Sequence, residues 1–389
     1  MNLIFVEQTE KLLKGISDMK LNEIEIFLQK VQSKLTRTSE QIGAKFPYTT
    51  TNGKYEEFAY EDDIYWWTNG FWVGIMWKMF LLTGDDKYKN IATECENKLD
   101  AALNGFEGLH HDVGFMWILS AVADYKLTKN PEARKRGLIA ANYLMGRFNI
   151  NGNYIRAWNG DAAGVAIIDS MMNIPILSWA AKEENDPRYI AVAKKHADTI
   201  NKYYFDEEGA SAHIVVFNPE TGEFVKKVAG QGYSDSSAWS RGQSWAVYGF
   251  TLAYINLGDE LYLERAKKSA KFFMEHVGED NVPDCDFRAP KELVKKDTSA
   301  GAIAACGLLE LAKIVSEEEK DWYIKSADRL LSGLIENCDF SLEEQSILQN
   351  GSLQYHGTEQ THIPLIYGDY YLVEALQKRL FENEVSFWK

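Results

Sequence analysis

The chain has 389 residues, of which 46% are hydrophobic, 25% charged and 13% aromatic, with only 8 prolines, the composition of a folded globular protein without low-complexity tracts. Its net charge of -15, from 57 acidic against 42 basic residues, excludes nucleic acid as a partner, because phosphate binding needs a basic face. A small anionic ligand is not excluded, since a few placed Arg or Lys side chains and helix N-termini bind a carboxylate inside a negative protein.

In chain order, residues 1–8 carry too short an apolar run for a signal peptide and no small-residue cleavage site. No stretch approaches a membrane span. Cys95, Cys285, Cys306 and Cys338 lie far apart without metal-ligand spacing, so they are expected as reduced thiols in a cytoplasmic protein. One helix is expected around Glu10 to Lys34. From Trp67 onward a unit recurs: a polar or aromatic start, an apolar helix rich in small residues, a short break, and an amphipathic helix bearing Tyr or charged residues. It runs from 67–72 into 83–88, from 112 to 133, from 169 through 185–189, from 239 through 257–262, from 297–302 to 321–323, and again at 367–371. Two longer links, 149–159 and 212–223, alternate like strands around turn residues and are expected as small hairpins over a cleft mouth.

Six such helical hairpins bury their inner faces only against their neighbours, so they close into a double-layered ring. The expected fold is all-α: a closed α/α toroid, or barrel, of six hairpins with short β-hairpin loops over the cleft. Residues 1–389 would form one catalytic domain, with about 1–40 as an N-terminal helical extension. The starts of all inner helices then share one end, which brings Asn69, Asp112, Asp169, Arg241, Asp297 and Asp369 to a single cleft. Asp112 and Asp169 are the informative pair, each opening an apolar helical segment. Each is either an N-cap or an acid lining the cleft. Two acids among aromatic and His residues point to proton-transfer chemistry on carbohydrate, and 11 tryptophans exceed what a core alone needs.

The segments Trp67-Thr68-Asn69-Gly70-Phe71-Trp72, His111-Asp112-Val113-Gly114-Phe115, Ile168-Asp169-Ser170-Met171-Met172-Asn173, Trp239-Ser240-Arg241-Gly242-Gln243-Ser244-Trp245, Asp297-Thr298-Ser299-Ala300 and Gly368-Asp369-Tyr370 together resemble the unsaturated glucuronyl hydrolases of glycoside hydrolase family 88. The resemblance implies a cytoplasmic enzyme that hydrates the 4,5 double bond of the non-reducing unsaturated uronic acid in lyase-generated glycosaminoglycan oligosaccharides. It implies Asp169 as general acid and base, Asp112 as its partner carboxylate, and His213, Gln231, Arg241 and Trp245 at the uronate subsite. Trp67, Trp158 and Trp245 are candidates to stack on sugar faces, His111 to bond a hydroxyl or orient the acid, and Asn69 to line the cleft. Arg241 is the natural partner of a substrate carboxylate, with Asp235 and Asp297 as alternative partners.

No cofactor and no metal are expected, on the reasoning that His110 and His111 are adjacent and cannot both face one ion on a helix. The chain departs from the family in three places. Members that favour sulfated substrates carry Ser-x-x-Ser-x-Lys where this chain reads Ser352-Leu353-Gln354-Tyr355-His356-Gly357; Cys285 stands where Trp is common; and Asn69 replaces Ser or Asp. The competing readings are an unsaturated rhamnogalacturonyl hydrolase acting on pectin fragments and a non-catalytic sugar-binding toroid. The oligomeric state is not legible.

Overall fold

Small residues decide which helices go inside. The segment Thr298–Leu311, TSAGAIAACGLLEL, is buried along its whole length, whereas the next helix, Glu317–Glu336, buries one face and turns its acidic first turn to solvent. The same alternation runs along the chain. The computed structural model describes residues 20–55, 63–292, 294–357 and 360–389.

The inner helices are α2 (Asn69–Thr83), α4 (Val113–Trp117, continued by a π-turn at Ile118–Val122 and by Ala123–Thr128), α6 (Ser170–Asn173 continued by Pro175–Glu184), α8 (Ser240–Leu257), α10 (Thr298–Leu311) and α12 (Ile366–Leu380). Each packs on the next, and α12 packs on α2, which closes the ring. The outer helices α3 (Asp86–Gly105), α5 (Pro131–Gly146), α7 (Pro187–Tyr203), α9 (Glu260–His276) and α11 (Glu317–Glu336) each follow an inner one. The toroid expected from the repeat is therefore present, with one correction. The helix expected at Glu10 to Lys34 is α1, Leu21–Ile42, the part of the expectation before Lys20 lying outside the described residues. It packs on α12 as the outer member of the sixth pair, so that pair joins the two ends of the chain.

Short sheets decorate the end where the inner helices begin. β1 (Phe148–Asn149) pairs with β2 (Tyr154–Ile155), β3 (Val165–Ile167) with β4 (Ile214–Phe217) and β4 with β5 (Phe224–Val228), all antiparallel; β6 (Gly351–Ser352) pairs with β7 (Thr361–Ile363). The other end is sealed by residues 381–389. Trp388 is buried, stacks on Tyr371 at 6.3 Å and donates from Nε1 to Glu374 at 3.0 Å. Beside it the buried Lys378 ammonium meets Glu310 at 2.6 Å, Glu384 at 3.1 Å and Glu374 at 3.3 Å. Among the described residues no helix is long and apolar enough to cross a membrane.

Candidate active site

Four outer helices are capped by their leading polar residue. Asp85, Asn130, Asp186 and Asp259 open α3, α5, α7 and α9, and each accepts a hydrogen bond from the backbone N–H two residues on. These are N-caps that satisfy an otherwise unpaired helix donor. Asp112 and Asp169 occupy the same position before α4 and α6, but neither side chain bonds its helix. The capping interpretation fails for both, and their carboxylates are turned toward other partners.

Asp112 has a full set of them. Its Oδ1 accepts from Asn173 Nδ2 at 2.9 Å, while Oδ2 lies 3.2 Å from His110 Nδ1 and 3.3 Å from His111 Nε2. Burial opposes its charge, but His111 and the donors from both histidines outweigh that cost and hold the carboxyl well below its usual range. His111 is fully enclosed, and burial lowers its affinity for a proton against the opposing pull of Asp112. Asp169 is the reverse case. Its side chain keeps 14% of its surface accessible, its Oδ1 has no hydrogen-bond partner among the described residues, and burial followed by the Asp112 charge raises its pKa to about 7. Two carboxyls a few side chains apart are thus driven in opposite directions, one toward permanent charge and the other toward carrying a proton near neutrality.

Asn173 joins them. One amide hydrogen goes to Asp112 Oδ1 and the other to the backbone carbonyl of Asp169 at 3.2 Å, while Oδ1 accepts from Phe115 N at 2.9 Å. This close meeting of α4 and α6 needs Gly114, since a Cβ there would come within 2.4 Å of the Asn173 Cα. Sequence reasoning quoted Asn173 but gave it no task; its spacing of four residues from Asp169 places both on one helical face and was the available signal.

The remaining candidates surround the pair. His213, from the approach to β4, accepts the Gln231 N–H on Nδ1 at 3.0 Å, which leaves the hydrogen on Nε2, 3.7 Å from Asp169 Oδ1. Burial, then the charge of Arg241, lowers its pKa to about 3, so it is neutral. Its ring packs on Trp239 at 4.4 Å. Gln231 also donates from Nε2 to Leu353 O at 2.5 Å and ties the 352–357 loop to this wall.

Arg241 is 1% exposed and already engaged: Nη1 pairs with Asp297 at 2.7 Å and donates to Ser352 O, and Nη2 donates to Leu353 O at 2.6 Å. Of the partners open to it from sequence, Asp297 is the one it takes. Its guanidinium packs between Trp239, at 4.5 Å, and Tyr367, at 5.3 Å. Tyr367 in turn meets Trp67 at 5.0 Å, and Trp67 meets Phe115 at 5.4 Å. Trp245 is wholly buried beneath this wall against Phe115 and Tyr371, at 5.2 and 5.7 Å. Trp158 stands 38% exposed on the loop after β2, and Asn69 is buried with its amide donating to Ile64 O at 3.1 Å. Asn69 Oδ1, Trp239 Nε1 and Trp245 Nε1 lack partners among the described residues, an unusual density of unpaired buried polar atoms for one region.

His110 and His111 do not lie on a helix, contrary to the expectation that argued against a shared ion: they precede α4 at a turn, and with Asp112 they place three ligand-type atoms within 4.8 Å of one another. Both histidines aim at the same carboxylate oxygen, and Asn173 holds the other, so the arrangement works as a shell that fixes a charged Asp112. A separate cavity of about 810 Å³ lies among α3, α5 and the β1–β2 hairpin, lined by Phe106, Ile139, Tyr143, Arg147 and Arg156; none of the candidate residues lines it.

Comparison with known proteins fits this geometry. Residues 38–282 match the family model described as Glycosyl Hydrolase Family 88. The chain is 36% identical over 364 residues, 90% of its length and 95% of the relative's, to an unsaturated glucuronyl hydrolase from Bacillus sp. (strain GL1). It is 36% identical over 334 residues, 83% of each protein, to an unsaturated chondroitin disaccharide hydrolase from Streptococcus pneumoniae. It superimposes on the crystal structure of an unsaturated glucuronyl hydrolase from Streptococcus agalactiae with a TM-score of 0.90 at 30% identity, covering 96% of both chains.

Proposed function

The chain belongs to glycoside hydrolase family 88, and from that membership we propose that it hydrates the 4,5 double bond of the non-reducing unsaturated uronic acid in glycosaminoglycan-derived disaccharides, releasing the downstream sugar. It is a glycoside hydrolase. The names of the relatives, which include chondroitin disaccharide hydrolases, support this substrate class. The observation that carries the mechanism is the opposed ionisation of Asp112 and Asp169, with neither acid spent on capping its helix.

A protonated Asp169 delivers its proton to C4 of the conjugated vinyl ether, and positive charge develops at C5 and the ring oxygen. Asp112, charged throughout, favours that developing charge and keeps the proton on Asp169 beforehand. The Asp169 carboxylate then takes a proton from water as it attacks C5. The resulting hemiketal opens to a keto acid and expels the neighbouring sugar, so no direct attack at the anomeric carbon is required. Neutral His213 offers its Nε2–H beside the reacting carboxyl. Arg241, committed to Asp297, acts on the substrate carboxylate through its charge; Gln231, His111 and Asn69 supply polar contacts, and Trp67, Trp158 and Trp245 form or support the sugar-facing walls. The four cysteines are free thiols, which supports a reducing cytoplasm as the working compartment.

The test is direct. The conjugated double bond absorbs in the far ultraviolet, and its loss is followed on lyase-made disaccharides. Turnover of unsaturated chondroitin or hyaluronan disaccharides over pectin-derived ones is expected; the reverse preference, or binding without bleaching, would overturn the assignment.

A further inference from the structure

His196 lies on the outer helix α7, wholly buried, and takes no part in the chemistry above. Its imidazole touches two segments that reach the active site. Nδ1 accepts the backbone N–H of Ile155 in β2 at 2.9 Å, and Nε2 lies 2.6 Å from Ser170 Oγ. Ser170 spends its only hydroxyl hydrogen on Ile167 O, also at 2.6 Å. Nδ1 must therefore be the acceptor and Nε2 the donor, so only the neutral tautomer with hydrogen on Nε2 satisfies every atom. Burial, followed by His111, lowers its pKa to about 3, in keeping with that state.

The two partners are adjacent to the reacting acids. Ser170 follows Asp169 directly, and its other partner, Ile167, precedes it by two residues at the end of β3. On the other side, Ile155 leads within two residues to Ala157, whose carbonyl accepts the His111 N–H at 3.1 Å, next to Asp112. One ring thus ties the turn bearing Asp169 to the strand that supports His111 and Asp112. An apolar residue at 196 would fill the space but leave the Ile155 N–H and one lone pair of Ser170 unpaired in the core.

We propose that His196, acting through Ser170, is a positioning residue that fixes the placement of Asp169 relative to Asp112. The proposal rests on Asp169 as the proton donor. Displacing a catalytic group by a fraction of an ångström lowers the rate of its step while leaving contacts elsewhere on the substrate in place, so the effect belongs in kcat.

The experiment compares His196→Phe, His196→Gln and Ser170→Ala with wild type on one unsaturated disaccharide, with folding monitored by circular dichroism. His196→Phe should lose about tenfold or more in kcat with KM within about twofold. Ser170→Ala should move the same way by less, and His196→Gln, which retains an acceptor and a donor, should recover part of the loss. Ser170→Ala and His196→Gln keep the test open if the Phe variant does not fold. A folded His196→Phe with wild-type kcat would overturn the proposal, as would a wild-type Ser170→Ala or a loss confined to KM. Asp169→Asn, assayed alongside, separates the two levels: if it stays active the role of Asp169 is wrong, and if it is dead while the His196 and Ser170 variants are normal, only the positioning role is wrong.

Discussion

Asn173 and Asp112 are joined by a 2.9 Å hydrogen bond from amide to carboxylate, and the other hydrogen of the same amide is bound to the backbone of Asp169. Both amide hydrogens are thereby placed, and the side-chain oxygen accepts the Phe115 N–H. The amide therefore cannot flip, and it presents a donor to the acid that must stay charged. Replacing Asn173 by Ala removes that donor. A hydrogen bond to a charged group contributes about 1.5–3 kcal/mol, so kcat should fall roughly ten- to a hundredfold. Steady-state kinetics on a variant with a native circular dichroism spectrum checks this; an unchanged rate would reduce Asn173 to a packing contact.

Asp169→Asn should be folded and nearly inactive, since an amide neither donates the proton nor activates water. General acid–base catalysis contributes about 10²- to 10⁴-fold, and a group used in both steps should cost the upper part of that range. The same substitution should alter stability in a pH-dependent way. The folded-state pKa of Asp169 is raised to about 7 from the ordinary 3.8, so its stabilising contribution is complete below the ordinary value and is lost as pH rises through about 7. Asparagine escapes that loss. The melting temperature of the variant should match wild type near pH 4 and exceed it by a few degrees near pH 8, roughly the shift expected for a buried charge avoided. A variant less stable at pH 8 than at pH 4, relative to wild type, would contradict the raised pKa.

Asp112→Asn removes a charge and leaves the proton donor in place. Part of what raises Asp169 is the negative charge of Asp112, so its removal should let the Asp169 pKa fall. Activity requires protonated Asp169, and the alkaline limb of the kcat/KM profile, which reports the free enzyme, should therefore move below about pH 7, along with a severe drop in rate. A profile that keeps its shape and its height would show that Asp112 has no electrostatic hold on its neighbour.

The ring was legible in the sequence because its inner helices are written in small residues and its outer helices in one-sided patterns, a contrast that recurs along the chain, as in α10 and α11. The partner of α12 was not, because α1 lies at the opposite end of the chain and no periodicity records which helix it meets. The two acids could be found from their place before apolar helices. What could not be found is that they decline to cap them: Asp297, in the same position before α10, does accept the Ser299 N–H. For Asp112 that distinction depends on Asn173, which reaches it from the neighbouring inner helix, together with the adjoining His110 and His111. The engagement of Arg241 by Asp297 and by the 352–353 carbonyls is equally a tertiary fact.

Exhaustive chelation should leave turnover unchanged, because protonating a conjugated vinyl ether calls for a carboxylic acid and not for a Lewis acid. The place to watch is the convergence of His110, His111 and Asp112. If activity is lost in chelator and restored by a divalent ion, those three side chains are where the ion acts, and the proton-transfer scheme needs replacing.

The 352–357 loop, where the family resemblance implies a Ser-x-x-Ser-x-Lys motif in members that favour sulfated substrates, is expected to decide the downstream sugar. In this chain Tyr355 is 6% exposed and fixed by its backbone, its N–H on Gln231 O at 2.8 Å and its carbonyl accepting Lys295 Nζ. His356 places Nε2 2.8 Å from Tyr233 O, which spends its hydrogen on that carbonyl. Gly357 has φ +117°, a conformation in which a lysine would be strained. The nearest donors are therefore already committed to backbone carbonyls. A sulfate placed there without charge-assisted donors costs about 1.5–3 kcal/mol, so kcat/KM should favour an unsulfated disaccharide over its sulfated counterpart by roughly ten- to a hundredfold. The strain at Gly357 also means that pairing Tyr355→Ser with Gly357→Lys, the direct graft of the missing motif, should not convert the preference without loss of stability. Matched sulfated and unsulfated substrates measure the ratio. Faster turnover of the sulfated one by the wild-type enzyme would show that Lys295 or His356 leaves its loop carbonyl to meet the sulfate.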